Sequence, residues 1–359
     1  MKQSKLVLIV YIVLLNITII SLILFNSEND NKLVEKNKEI VLKENVFAVM
    51  VENENKTGYV ESNSDTWPSN MGLNEELTYC KDEKGEIIEN PLTVDNGAVT
   101  VRTNKKIYCM LYFYDLIPEF TYTGDYEIVD DNDNPITTSA KNWKIRFLTS
   151  GTLTFKELDG AKDGIDVFLV GGGAGGEVSG GGGGYTGTEK NVSLLEDTGY
   201  EIVVGEGGGK HTRGEESSAF GITVEGGNIS TGSYNVNGGA GGSGGGGAGG
   251  DKYAGGNGGY NGSDGVGMSS GYSSGGEGQG TTTKEFGEEN GKLYAGGGAG
   301  SGAGGYAYGG EGGGGDGHYL NVIQATPGDE NTGGGGGGNY YHAGFAGGSG
   351  IVIIRNARN

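Results

Sequence analysis

The stretch IDVFLVGGGAGGEVSGGGGG, residues 165–184, decides the fold, because an apolar segment runs directly into glycine. Ile165–Val170 is a short apolar run with one aspartate, which predicts a buried β-strand. The glycines that follow have no side chains to bury, so any order there must come from the backbone. Of the 78 glycines in the chain, 70 follow Val170. This half of the chain is therefore not α-helical, since glycine is a poor helix former.

Further strand signals flank the glycine tracts and are short and alternating or rich in β-branched residues. They lie at Trp143–Leu148, Gly151–Phe155, Tyr200–Val204, Phe220–Val224 and Ile351–Ile354. Short strands separated by turn-forming residues are typical of an all-β sandwich. We expect a glycine-rich domain over residues 141–359, in a chain that is mainly β.

Side chains inside the tracts recur at every third position. The spacing holds for Ala174 and Glu177, for Ala240 and Ser243, and for Ala254, Asn257, Tyr260, Ser263 and Val266. A left-handed polyproline II helix has three residues per turn, so this spacing leaves bare edges where neighbouring backbones can approach. We predict inserted polyglycine II helices packed as a bundle on the sandwich. A disordered glycine-rich linker is the alternative, although it gives no reason for the period.

Residues 6–25 are free of charged side chains and predominantly apolar, which is long enough to cross a membrane. Lys2 and Lys5 precede this run, and Glu28 and Asp30 follow it. The positive-inside rule predicts a single-pass cell-membrane protein with residues 1–5 in the cytoplasm and the C-terminus outside. A cleaved signal peptide is the alternative, but its apolar region is usually shorter and ends in small residues. The polar residues 26–45 are interpreted as a stalk.

Residues 46–118 are interpreted as a small β domain, with strand patterns at Val46–Val51, Val99–Thr103 and Ile107–Tyr114. Cys80 and Cys109 are the only cysteines. Since two cysteines in an exported protein usually pair, we predict one disulfide, with two buried thiols as the alternative.

Residues 119–140 are interpreted as a hairpin linker. Tyr126–Val129 and Ile136–Thr138 flank the sequence DDNDNP at residues 130–135. Asp and Asn favour turns because their side chains bond to nearby backbone groups. The same oxygens suit calcium, but the plain turn is the preferred interpretation.

Composition and motifs exclude several functions. The net charge of −21 argues against nucleic-acid partners. Residues 171–176 match G-x-G-x-x-G, but more glycine follows where a dinucleotide site needs a helix. His211, His318 and His342 are the only histidines and sit in no metal or triad signature. We therefore expect no catalytic centre, no metal and no cofactor.

Tyrosine is frequent among the glycine tracts and supplies large contact area at low entropic cost. Some of these rings would instead pack over bare glycine edges inside the bundle, and the pattern leaves both options open. The candidate ligand contacts, in the longest irregular loops, are His318, Tyr319, Tyr340, Tyr341 and His342.

The segments 143–155, 166–176, 287–298 and 348–355 together resemble a glycine-rich domain of bacteria and phages. This domain is similar to the extracellular glycine-rich domain of the anaplastic lymphoma kinase and leukocyte tyrosine kinase receptors, and to phage tail-fibre adhesin tips. The resemblance covers about residues 141–356 and implies a β-sandwich with inserted glycine helices that binds a ligand or receptor. It implies no kinase, since the kinase signature segments are missing from the sequence.

The sequence thus predicts a membrane-anchored, extracellular and non-catalytic surface protein of bacterial, prophage-derived character. Its expected role is adhesion or ligand binding, with a cell-surface glycan or protein as the partner and the membrane contacted through residues 6–25. A structural surface spacer without a specific ligand is the alternative function.

Overall fold

The computed structural model describes most of the chain from residue 46 onward. The described residues are 46–51, 60–63, 71–73, 78–88, 92–95, 98–103, 107–115, 117–136, 142–158, 160–230, 237–248, 258–259, 262–267, 275–278, 280–302, 307–318, 324–340 and 344–358. The predicted anchor at 6–25, the stalk at 26–45 and the candidate contacts Tyr319, Tyr341 and His342 lie outside them. Among the described residues, no helix has the length and apolar character needed to cross a membrane.

The described residues are mainly β, as expected, and their strands pair antiparallel. The strands are β1 Val46–Val51, β2 Val60–Asn63, β3 Met71–Leu73, β4 Tyr79–Asp82, β5 Ile87–Ile88, β6 Leu92–Asp95, β7 Ala98–Thr103, β8 Ile107–Asp115, β9 Glu119–Tyr122, β10 Tyr126–Val129, β11 Lys144–Phe147, β12 Gly151–Glu157, β13 Ile165–Val170, β14 Thr186–Val192, β15 Gly199–Val203, β16 Ser217–Ala219, β17 Ile222–Val224 and β18 Ile351–Asn356. Within the described part of the chain, one 3₁₀ turn at Glu285–Gly287 is the only helical element.

The chain divides into two compact units, residues 1–114 and 115–359. In the first, one sheet has the order β1-β8-β4-β5, with β3 also pairing with β8, and another has the order β2-β7-β6. Cys80 on β4 lies directly opposite Cys109 on β8, and the two form a disulfide. Both cysteines are 1% exposed. The predicted disulfide is therefore confirmed, and free thiols are excluded for this pair.

The second unit is a sandwich of two five-stranded sheets. Sheet I has the order β10-β11-β18-β13-β14, and sheet II has the order β17-β16-β15-β12-β9. Alternate residues of both sheets meet in one apolar core. Its fully buried members include Trp143, Ile145, Phe147, Leu153, Phe155, Ile165, Val167, Leu169, Ile202, Val352 and Ile354.

The segment assigned to a hairpin linker contributes strands to this sandwich. β9 pairs with β12 in sheet II, and β10 pairs with β11 in sheet I. Of the hairpin expected between Tyr126–Val129 and residues 136–138, the described residues show a bridge between Val129 and Pro135 and a backbone bond from Ile136 to Ile128, while residues 137 and 138 lie outside them. Polar edge strands have little apolar pattern, so a linker and two sheet edges look alike in sequence.

β13 and β18 are buried on both faces, which explains their unbroken apolar sequences. Their outer-facing residues, including Phe168 and Ile353, pack against Phe286, Tyr294 and Ala295. These last three residues belong to the segment between two glycine tracts. The glycine-rich insertion therefore provides a second core on the outer face of sheet I.

The glycine tracts form one hydrogen-bonded body, here called the glycine bundle. Backbone N–H groups of residues 171–176 donate in turn to three neighbouring segments: Gly171 and Ala174 to 182–185, Gly172 and Gly175 to 212–215, and Gly173 and Gly176 to 345–348. The pattern repeats every third residue, which is the period of a polyproline II helix. The backbone bonds of residues 171–176 have the predicted three-residue period, while Ala254, Asn257 and Tyr260 of the longest predicted run lie outside the described residues.

Close backbone approach explains why the bundle needs glycine. A Cβ placed on Gly173 would lie 2.0 Å from the carbonyl oxygen of Gly334, and one on Gly181 would lie 2.1 Å from that of Ala174. Neither glycine has a positive φ. A side chain is excluded at these positions by the backbone of a neighbouring segment and not by the local backbone conformation.

Candidate functional site

The segments of the glycine bundle run away from the sandwich and back. Gly171–Gly176 leaves β13, and the chain returns through Gly180–Gly184 to β14. Residues 205–209 leave β15 and 212–216 return to β16, while 344–350 returns to β18. The bundle therefore has one end at the sandwich and one far end, here called the tip.

Four connections between glycine tracts, residues 231–236, 303–306, 319–323 and 341–343, lie outside the described residues. The described residues Gly302, His318 and Asn339, which come just before three of these connections, lie at the tip, because they bond to one another's segments and to Glu177. The sequences of these four connections contain Tyr234, Tyr306, Tyr319 and Tyr341, one in each. Variable loops on a rigid scaffold are a common arrangement for binding surfaces.

Backbone bonds hold the starts of these connections together. The N–H of His318 donates to the carbonyl of Gly338 at 2.9 Å, and that of Asn339 donates to the carbonyl of Glu177 at 2.6 Å. The N–H of Gly302 donates to the carbonyl of His318 at 3.1 Å. Segments that are distant in sequence thus begin their tip connections side by side.

Two of the five predicted contact residues are described, and they differ in exposure. Tyr340 is 50% exposed, as a contact residue should be, whereas His318 is only 5% exposed. His318 thus supports the tip through its backbone bonds and does not present its ring to solvent. Tyr319, Tyr341 and His342 remain predictions, because they lie outside the described residues.

The structure adds tip residues that the sequence analysis missed. His211 Nδ1 lies 3.0 Å from a carboxylate oxygen of Glu177, and both side chains are partly exposed. Phe345 is 36% exposed and its carbonyl accepts a bond from Gly176. Glu177 and His211 sit in different tracts with no shared motif, so only the hydrogen-bonding order of the tracts reveals the pair.

Comparison with known families gives one match. The glycine-rich domain family matches residues 148–357, which is more than half of the chain. The chain belongs to the glycine-rich domain family. No curated protein and no solved structure matches it.

The second unit also contains a largely buried group of charged side chains, here called the charged cluster. It lies on the outer face of sheet I, since Lys144 and Arg146 alternate with the inward-facing Ile145 and Phe147 of β11. Its members are Asp133, Lys144, Arg146, Asp166, Glu285 and Arg355. Lys144 Nζ lies 2.7 Å from Asp133 and 2.8 Å from Glu285, and Arg355 Nε lies 3.1 Å from Asp166.

The charged cluster opens onto a cavity of about 650 Å³, which is lined by charges of both signs. Asp133 accepts a hydrogen bond from Lys144, and its Oδ2 forms an ion pair with Nη2 of Arg146 at 2.6 Å. Burial alone would raise the pKa of the Asp133 carboxyl, but bonds from these two cations more than offset it, and the pKa lies below its usual value. The pKa of the Tyr294 hydroxyl is raised by burial and by the charge of Glu285.

The described part of the glycine-rich domain does not assemble a metal site. No three His, Cys, Asp or Glu side chains converge there. At the turn 130–135, Asp130 Oδ1 accepts the N–H groups of Asn132 and Asn134 at 2.8 and 2.9 Å. Hydrogen bonds from Asn134 and Asn132 lower the pKa of the Asp130 carboxyl. The same bonds stabilise the turn, which agrees with the preferred interpretation of this segment.

Proposed function

We propose that this protein is a membrane-anchored, extracellular surface protein whose glycine-rich domain binds a ligand at the tip and carries out no catalysis. The arrangement of the tip carries the proposal. Tyrosine-bearing connections begin side by side on a bundle whose backbone is hydrogen-bonded in three directions. The apolar run at 6–25 supports the anchor, and the resemblance to phage adhesin tips supports an adhesive role.

A rigid bundle favours binding because it limits the entropy lost on association. Loops that are held at both ends by backbone bonds lose less freedom when a ligand orders them. Tyr340 adds an exposed aromatic surface, and Phe345 adds an apolar one close by in the sequence. Such surfaces suit the hydrophobic faces of sugars and the side chains of a protein receptor. A glycan or protein on another cell is thus the proposed ligand class.

The proposed binding role of the tip is tested on cells that display the full chain, by measuring how much labelled glycan or how many target cells they bind. We expect saturable binding of labelled glycans or target cells, and about tenfold weaker binding for Tyr340→Ala. Tyr126→Ala is the matched control, because Tyr126 is 42% exposed on β10 of the sandwich. The two variants lose the same side chain at similar exposure, and only the one at the tip should weaken binding.

Protease treatment of the intact displaying cells tests the location in the same assay. Binding should disappear as the C-terminal half is released. Equal loss in both tyrosine variants would contradict a binding face at the tip. An absence of saturable binding by displayed, folded protein would favour the structural spacer instead.

A further inference from the structure

The contacts of Lys144 suggest a covalent cross-link. Its Nζ lies 2.8 Å from Oε1 of Glu285 and 2.7 Å from Oδ1 of Asp133. We propose that Lys144 and Glu285 condense to an intramolecular isopeptide bond, with Asp133 as the group that moves the protons. The bond would join β11 of sheet I to the 3₁₀ turn inserted between two glycine tracts.

The two reacting side chains are buried and in direct contact. The side chains of Lys144 and Glu285 are 7% and 5% exposed. Glu285 lies beside an aromatic group, since the Tyr294 hydroxyl is 3.4 Å from its Oε2 and the Tyr294 ring packs on Phe168. Transfer of one proton from the Lys144 ammonium to Glu285 across their 2.8 Å contact gives a neutral amine, which is the nucleophilic form of lysine, and the carboxylic acid that it attacks.

The carboxylate of Asp133 lies in a different environment from that of Glu285. Asp133 is 31% exposed and forms ion pairs with both Lys144 and Arg146. The guanidinium of Arg146 keeps Asp133 ionised, which makes it a poor target for attack but leaves it able to accept a proton. Its contact with Lys144 Nζ places it where the proton is released.

The atoms balance without any oxidant or cofactor. The Lys144 Nζ lone pair attacks the Glu285 carboxyl carbon, and one Nζ proton passes to Asp133. Asp133 returns that proton to the carboxyl hydroxyl, the carbon–oxygen bond breaks, and one water leaves as the amide forms. Lys144, Glu285 and Asp133 all line the cavity of about 650 Å³, which gives the water a way out.

A covalent bond between Lys144 and Glu285 would make the domain more resistant to mechanical force. The 3₁₀ turn lies between residues 275–278 and 295–302 of the glycine bundle. Its side chains cover the outer face of sheet I through Phe286 and Tyr294. A covalent link to β11 would keep this segment from peeling off the sandwich when force is applied at the tip.

Peptide mass spectrometry on the purified full-length chain tests the proposal. Trypsin should yield residues 142–146 joined to residues 285–292, with a mass one water below the sum and no cleavage after Lys144. Lys144→Arg keeps the positive charge but has no primary amine, so its joined peptide should be absent. Asp133→Asn should form the bond about 100-fold more slowly.

An exposed ion pair of equal length is the internal control. Lys156 Nζ lies 2.8 Å from Asp197, but these side chains are 45% and 74% exposed, so no joined peptide is expected there. Recovery of residues 142–144 and 285–292 only as separate peptides from folded protein would overturn the proposal. After reduction of the Cys80–Cys109 disulfide, a species in which residues 107–141 are joined to residues 142–146 would also overturn it, because Asp133 would then be the reacting carboxyl. An unchanged rate in Asp133→Asn would remove the proton-moving role.

Discussion

Replacement of Gly173 by alanine is expected to destabilise the second unit by about 3 kcal/mol. The new Cβ would lie 2.0 Å from the carbonyl oxygen of Gly334 and 2.4 Å from its carbonyl carbon. The backbone has little room to move aside, because Gly173 donates to Gly348 and accepts from Gly208. Chemical denaturation monitored by tyrosine and tryptophan fluorescence measures the change.

Gly209→Ala is the matched control for this substitution. The nearest atom to a Cβ on Gly209 is the Thr212 hydroxyl oxygen at 3.6 Å, which is an ordinary contact. Gly209 also has no positive φ, so alanine fits the local backbone. Gly209→Ala should leave the free energy of unfolding unchanged or raise it by about 0.5 kcal/mol, because alanine lowers the conformational entropy of the unfolded chain. Equal effects of the two variants would mean that close packing does not explain the glycines.

The second large effect is expected from Asp166→Ala, which should cost about 4 kcal/mol of unfolding free energy. Asp166 is 1% exposed and pairs with Arg355, which is 5% exposed. Removal of the carboxylate leaves the buried guanidinium with Glu288 as its remaining ion-pair partner among the described residues. The same denaturation experiment measures the loss.

Asp197→Ala provides the comparison at the surface. Asp197 is 74% exposed in its pair with Lys156. Exposed pairs contribute about 0.5 kcal/mol, because solvent screens the charges. If Asp166→Ala were as mild as Asp197→Ala, the buried pair of Asp166 and Arg355 would contribute no more to stability than an exposed ion pair.

Strands with a strong apolar pattern were predictable from sequence, and strands without one were not. β13 and β18 are apolar because both of their faces are covered, and their sequences stand out against glycine. β14 has the sequence TGTEKNV and mostly partial or full exposure, so its polar residues resemble a loop. Its place in sheet I comes from pairing with β13, which local sequence does not encode.

The three-residue period of the glycine bundle was visible in sequence, but its neighbour relations were not. Ala174 and Glu177 accept from Gly336 and Asn339, so both face the same neighbouring segment, as the period requires. The period says nothing about which tract is that neighbour, because glycine has no side chain to specify a partner. Connection lengths and the strand order of the sandwich set the packing instead.

Only part of the candidate site could be predicted, because sequence does not show which segments meet or which side chains they bury. Tyrosine content and irregular spacing pointed to Tyr340, which the structure leaves half exposed. His318 was predicted on the same grounds but is buried, and sequence has no signal for that difference. The charged cluster was not foreseen, because Asp133, Lys144 and Glu285 come from segments that look separate until the glycine-rich insertion folds onto sheet I.

The central claim is that the glycine tracts form a rigid bundle and not a flexible linker, and amide hydrogen exchange on the full-length chain tests it most directly. Residues 171–176, 180–185 and 333–339 should exchange at rates comparable to those of β13 and β18, since their N–H groups are bonded to neighbouring segments. Exchange of these amides at the rate of an unstructured peptide, alongside protected β13 and β18, would contradict the account.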